Sequence, residues 1–352
     1  MLSYLLFGVL ASVALSQQLN LWPVIGILTI PVETEWNISG NYSYIAASYV
    51  KFIEAAGARA IPIPWDAPNI TDYLKIVNGV LFTGGGTNLT YTSLGAVMTK
   101  GEDGGIVAPG GGLTPVGEAM NKIFSYIYQQ NQNGNYYPLW GTCQGFEAIG
   151  ILMSQNTSIL SNVDGCVNVT KNNYFYANYT SKLYSGLPSD LKTKMTNANL
   201  SYFSHSLCLD STVMQYNKLL KANMSAITYS TAPDGTIYIS SFESPTMPIY
   251  GTQFHQEKSP FEWRPDFYLN ISHTYDAIRL EQYLANFFVN ECRKNFNQFN
   301  DALYDWMLIY NYNATIIPQS HFEQIYLFPN RKTGEVSTES NAEHFIEYGF
   351  LE

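Results

Sequence analysis

Cys143 stands between two glycines in Gly141-Thr142-Cys143-Gln144-Gly145, directly after the apolar run Pro138–Trp140. A Gly-x-Cys-x-Gly turn between a strand and a helix is the nucleophile-elbow pattern with sulfur in place of oxygen. The glycines allow a cramped turn that side chains would block, so the nucleophile projects into a cleft at a helix N-terminus. There the helix dipole and free N–H groups favour thiolate over thiol. The backbone N–H of Gln144 can donate to an oxyanion, and a second donor can come from Gly85 or Gly86 in "TGGG". Against this, an isolated cysteine in a strand is most often core or disulfide. The flanking glycines at a strand–helix junction reverse that preference.

A thiolate nucleophile usually works with a histidine, and the chain has five. His255, in "YGTQFHQEKSPFEW", ends an expected central strand at the same sheet edge as Cys143. Glu257 is two residues on, so along an extended chain it projects to the same side. A carboxylate there can orient the imidazole and stabilise its charged form. His205, in "SYFSHSLC", sits in a polar segment where it can contact substrate, although a lone histidine is more often structural. His273, His321 and His344 fall in loop, polar or tail segments.

These residues need a scaffold. "PVIGILTIP" (23–31) reads as a buried strand. In "YIAASYVKFIEAAGARAIPIP", Ile45, Tyr49, Phe52, Ile53 and Ala56 recur at helical spacing, and Gly57 stands where a helix end favours glycine. "ARAIPIP" is a second strand, residues 72–77 a short helix, and "NGVLFTGGG" a third strand running into glycines. A helix over 115–130, the strand "PLWGTC" and a helix from about Gln144 repeat the pattern. A hairpin turns at Asp234-Gly235, "PIYGTQFH" is one more central strand, and "TYDAIRLEQYLANFFVNECRKN" is an amphipathic helix. Beyond Phe296 no clear pattern continues. Strand–helix alternation with apolar strands implies an α/β fold, a three-layer α/β/α sandwich around a mostly parallel sheet. Ligands in such sheets bind beyond the carboxyl ends of the strands, where "TGGG" and "GTCQG" both fall.

The 352 residues are 46% hydrophobic and 13% charged, which supports a large core and excludes disorder for most of the chain. A net charge of −10 argues against non-specific nucleic-acid binding. Residues 1–16 read as a signal peptide, with Ala14 and Ser16 giving a small-x-small cleavage pattern before Gln17. Eleven Asn-x-Ser/Thr triplets, from Asn37 to Asn313, fit entry into the secretory pathway. No later run is long enough to span a membrane. Of four cysteines, a working Cys143 leaves Cys166, Cys208 and Cys292 for at most one disulfide. The glycine-rich stretch 95–115 lacks the Gly-Lys-Ser/Thr of a phosphate loop and reads as a surface loop. Residues 331–352 read as an acidic tail.

The segments "IGILT", "NGVLFTGGG", "PLWGTCQGFE", "PIYGTQFHQEKSPFEW" and "LANFFVNECRKN", in this order, resemble the γ-glutamyl hydrolase family of class I glutamine amidotransferase-like enzymes. The resemblance runs from about Pro23 to about Pro329 and implies one hydrolase domain over 17–330. It implies that Cys143 is the nucleophile, His255 the base and Glu257 its partner, with His205 as substrate-contacting histidine. It implies cleavage of folylpoly-γ-glutamates, a small-molecule substrate, through a thioester, with no metal or organic cofactor. A lysosomal, vacuolar or extracellular location goes with it, and a homodimer is the oligomer to test for. Glu147, where amidotransferase glutaminases commonly carry Gln, is a second substrate-contact candidate and weighs against ammonia transfer. The alternatives are a glutaminase or another γ-glutamyl peptidase on the same fold, or an inactive secreted binding protein.

Overall fold

Alternating strands and helices dominate the computed structural model, which describes residues 18–91, 99–100, 106–107, 112–267 and 269–331. The elements begin with β1 (Val24–Leu28), β2 (Ile30–Pro31), β3 (Tyr42–Ala46), α1 (Ala47–Glu54), β4 (Arg59–Ile63), α2 (Ile70–Tyr73) and β5 (Gly79–Phe82). After β6 (Thr99–Lys100) and β7 (Ile106–Val107) come α3 (Pro115–Gln132), β8 (Leu139–Thr142) and α4 (Gln144–Ser154). The middle of the chain forms β9 (Ser161–Asn162), β10 (Val169–Lys171), β11 (Tyr174–Phe175), α5 (Ser189–Met195), β12 (Ser201–Phe203) and β13 (Leu207–Cys208). Next are α6 (Val213–Tyr216), α7 (Lys218–Asn223), β14 (Ser225–Thr231), β15 (Ile237–Glu243) and β16 (Ile249–Thr252). The last are α8 (Lys258–Phe261), α9 (Tyr275–Cys292), α10 (Asp301–Tyr304), β17 (Ala314–Thr315) and β18 (Ile325–Pro329).

The central sheet has the order β11-β14-β15-β16-β8-β5-β1-β4. From β4 to β16 the five neighbours run parallel, and β15, β14 and β11 continue antiparallel. Every residue of β1, β5, β8 and β16 is buried, as strands covered on both faces must be. The helices pack among themselves in two groups: α1, α5 and α8 around α9, and α2, α3, α4 and α7 in a row. This is a three-layer α/β/α sandwich around a mostly parallel sheet. Trp140 at the sheet centre is fully buried among Phe52, Tyr250 and Phe288.

Several elements differ from the sequence reading. Ile45 belongs to β3, and the helix begins only at Ala47, because Tyr42–Ala46 pairs antiparallel with Ile325–Pro329. The segment beyond Phe296 therefore holds structure, closing a small sheet β17-β18-β3-β2. The short helix expected over 72–77 lies earlier, at Ile70–Tyr73. All four cysteines are free and buried, so the single disulfide allowed by the count does not form. Gly57 takes φ +84° at the end of α1, a left-handed conformation suited to glycine. Within the 95–115 stretch the description covers the pair β6–β7 and residues from Gly112. The leader to Gln17 and the tail from Lys332 lie outside the described residues.

Candidate functional site

β8 ends at Thr142 and α4 starts at Gln144, so Cys143 alone makes the turn. It adopts φ 50°, ψ −108°, a strained conformation for a residue with a side chain. Both glycines are required by close backbone approach. A Cβ on Gly141 would lie 2.4 Å from the Gly145 carbonyl oxygen, and one on Gly145 would lie 2.3 Å from that of Phe82. The Cys143 N–H donates to the Thr252 carbonyl at 2.8 Å, tying the elbow to the end of β16. No side chain caps α4, although the Gly145 N–H at its start donates to the Thr83 carbonyl at 3.0 Å.

His255 follows β16 and is fixed from three sides. Its N–H donates to the Tyr202 carbonyl at 2.8 Å. Its Nδ1 lies 2.7 Å from Glu257 Oε1 and 3.4 Å from the Tyr49 hydroxyl. Burial opposes charge on Glu257, but the adjoining His255 ring, its hydrogen bond and Lys258 together hold that carboxyl below the usual range. Gly84 sits where the two chemical groups meet. A Cβ there would lie 2.8 Å from His255 Cε1 and 3.2 Å from Cys143 Cβ. With Nδ1 engaged by Glu257, the remaining ring nitrogen, Nε2, is the one available to exchange a proton with the thiol.

The thiol departs from the thiolate expected at a helix N-terminus. Burial pushes it well above its ordinary value, and the nearby Glu147 and Glu257 carboxyls push the same way. The Gln144 N–H and Lys258 oppose this but do not overcome it. In the free protein the sulfur carries its proton, and its Sγ lies 3.7 Å from the Ser204 carbonyl. Helix-end electrostatics lose here to desolvation.

A cleft of about 270 Å³ opens beside Cys143, lined among others by Gly85, Gly86, Gln144, Glu147 and His205. Gly84 donates its N–H to the Tyr49 hydroxyl at 2.8 Å, while Gly85 and Gly86 line the cleft. Glu147 Oε1 accepts from Gln253 Nε2 at 2.9 Å, and burial raises the carboxyl to about 8. His205 donates from Nδ1 to the Leu207 carbonyl, 2.7 Å away, which leaves Nε2 a bare acceptor without a protein partner. Burial lowers this imidazole to about 3, so it is neutral. Of the residues singled out from sequence, Cys143, Gln144, Gly85, Gly86, Glu147 and His205 line this cleft, whereas His255 and Glu257 do not line it and His255 approaches Cys143 at Gly84. His273 and His321 do not line that cleft.

Two participants escape the sequence reading. Tyr49 is legible there only as part of a helical apolar stripe, yet its hydroxyl bridges Gly84 and His255. Gln253 lies just past β16 and reaches Glu147, a contact that nothing in the local sequence signals. Among the described residues, no group of three or more His, Cys, Asp or Glu side chains is placed to hold a metal ion.

Residues 23–257 match the model of the Peptidase C26 family. The chain belongs to the γ-glutamyl hydrolase family. γ-Glutamyl hydrolase B of Dictyostelium discoideum is 32% identical over 94% of this chain and 90% of its own length. The γ-glutamyl hydrolases of Rattus norvegicus and Homo sapiens are 34% and 33% identical, each over 87% of this chain and 89% of theirs. The protein is thus a hydrolase of the peptidase type directed at γ-glutamyl bonds.

Proposed function

We propose that this γ-glutamyl hydrolase cleaves folylpoly-γ-glutamates, and antifolate polyglutamates, with Cys143, His255 and Glu257 as its catalytic triad. The observation that carries the reading is the meeting of Cys143 and His255 across Gly84, with His255 held by Glu257 at 2.7 Å. His255 takes the thiol proton as sulfur attacks the γ-amide carbonyl, and the N–H groups of Gln144 and of Gly85 or Gly86 hold the oxyanion. The imidazolium then protonates the departing amine, which leaves a γ-glutamyl thioester on Cys143. His255 next removes a proton from water, which attacks the thioester and releases the acyl product. Glu257 stays ionised throughout and holds the imidazole in the productive tautomer. His205 Nε2 accepts from a substrate N–H, and the neutral Glu147 carboxyl donates to a substrate oxygen.

Mass spectrometry of the products from a folate pentaglutamate tests this. Shortened folates with free glutamate or short poly-γ-glutamate are expected, and their chain lengths locate the cut. Predominant release of ammonia from free glutamine, with the folate left intact, favours a glutaminase instead. The apolar leader and the Asn-x-Ser/Thr triplets support passage through the secretory pathway, with a mature chain starting near Gln17. N-terminal sequencing of the protein from its native host, and its mass before and after enzymatic deglycosylation, check that route.

A further inference from the structure

Lys258 follows Glu257 directly and is 1% exposed. Its Nζ makes no hydrogen bond, although an ammonium has three donors to satisfy. Two aromatic rings flank it: Nζ lies 4.3 Å from the Phe322 ring centroid and 5.8 Å from that of Tyr202. The same Tyr202 ring stands 6.0 Å from the His255 ring. Glu257 Oε2, the carboxyl oxygen not bonded to His255 Nδ1, also lacks a hydrogen-bond partner. Burying a charge without a hydrogen bond is costly, and a methionine would fill an aromatic niche without that cost. A lysine at this position therefore needs a reason beyond packing.

We infer that Lys258 is a positioning residue for the reaction: its charge, buried between Tyr202 and Phe322 beside the triad, holds Glu257 as the carboxylate that orients His255. The inference rests on the triad reading above. Other groups share this field. Glu33, Glu262 and His321 face Lys258 from the loop after β2, the turn after α8 and the segment before β18. Cys143 and Tyr202 feel Glu257 from the elbow and β12, as Tyr49 does from α1 and Glu281 from α9. Lys258 is the cation adjacent in sequence to Glu257, and it acts on that carboxyl in the same direction as His255 does. The cation–π contacts hold the ammonium in place without supplying a counter-charge that would cancel it.

The test is the pH profile of kcat/KM on a γ-glutamyl peptide. In Lys258→Met the acid limb moves to higher pH by about one unit, so the rate deficit grows as pH falls. Lys258→Gln, also uncharged, moves it likewise, and Lys258→Arg leaves it in place because the charge remains. In a Glu257→Gln background, Lys258→Met costs no further kcat/KM. A folded Met or Gln variant with an unmoved acid limb overturns the inference, as does an Arg variant shifted as far as the uncharged ones, or full loss in the Glu257→Gln background. Cys143→Ala runs alongside as a control. If it keeps normal turnover the triad reading itself fails, whereas a dead Cys143→Ala with unmoved limbs fails the Lys258 inference alone.

Discussion

Glu257 Oε1 lies 2.7 Å from His255 Nδ1 in a pair with almost no solvent contact. That distance assigns the Nδ1 proton to the carboxylate side and leaves Nε2 as the working nitrogen. Glu257→Gln preserves the shape but can offer an N–H to Nδ1, which favours the wrong tautomer. The expected result is a fall in kcat of roughly 10²- to 10⁴-fold with KM changed little. Steady-state kinetics on a γ-glutamyl peptide check it, and kcat within twofold of the parent would remove Glu257 from the mechanism.

The neutral state of Cys143 makes a second prediction. Since burial and two carboxyls raise the thiol, little thiolate exists in the free protein at neutral pH. Iodoacetamide should therefore alkylate Cys143 at pH 7 at least about tenfold more slowly than a free cysteine, and faster as pH rises above 9. Labelling rates followed by peptide mass spectrometry decide this. Rapid labelling at pH 7 would instead indicate a preformed thiolate–imidazolium pair.

The elbow is legible in the sequence because its requirements are local: two glycines, one cysteine and a strand–helix junction lie within five residues. The His255–Glu257 pair is named by its spacing, but β16 stops at Thr252 and the chain turns at Gln256–Glu257, so the strand alternation expected from sequence is not what brings the two side chains together. What escapes depends on distant pairing. β3 reads as the start of a helix because the partner that makes it a strand, Ile325–Pro329, lies far along the chain, and two five-residue segments carry no sign of one another. The state of the thiol is hidden in a related way. A helix N-terminus can be read from sequence, but the burial that outweighs it is a property of the assembled fold. His205 can be named from sequence but not placed, since its position follows from the bridge between Tyr202 and His255 and the hydrogen bond from His205 N–H to the Cys166 carbonyl.

Backbone crowding at the elbow predicts the effect of a single methyl group. In Gly145→Ala the new Cβ meets the Phe82 carbonyl oxygen at 2.3 Å, and neither backbone segment can yield without moving β5 or α4. A loss of roughly 3 kcal/mol in unfolding free energy is expected, with a larger drop in kcat than in substrate affinity because Cys143 shifts. Gly134→Ala is the contrasting control: its Cβ meets nothing within 4 Å, but φ is +84°, so only backbone strain remains. Urea unfolding of both variants measures the difference.

Glu147 links the cleft to the pH dependence of the fold. Its carboxyl rises from 4.5 to about 8, through burial that the hydrogen bond from Gln253 only partly offsets. A raised acid stabilises the folded state fully below its unfolded value, and that contribution is lost as pH climbs through the folded one. Between pH 4.5 and 8 the loss is on the order of 4 kcal/mol. Glu33, Glu262 and Glu281 are shifted the same way by burial, while the lowered Glu257 acts oppositely and weakens the fold only in stronger acid. His205 and His321, lowered to about 3 by burial, act the other way as pH falls below 6.5, so the readout is the difference between Glu147→Gln and the parent at each pH. Glu147→Gln keeps an oxygen for Gln253 and cannot ionise, so it should match the parent at pH 5 and exceed it at pH 8. Thermal melts of the two proteins across this range test the assignment, and parallel curves at every pH would show that Glu147 is not the buried acid responsible.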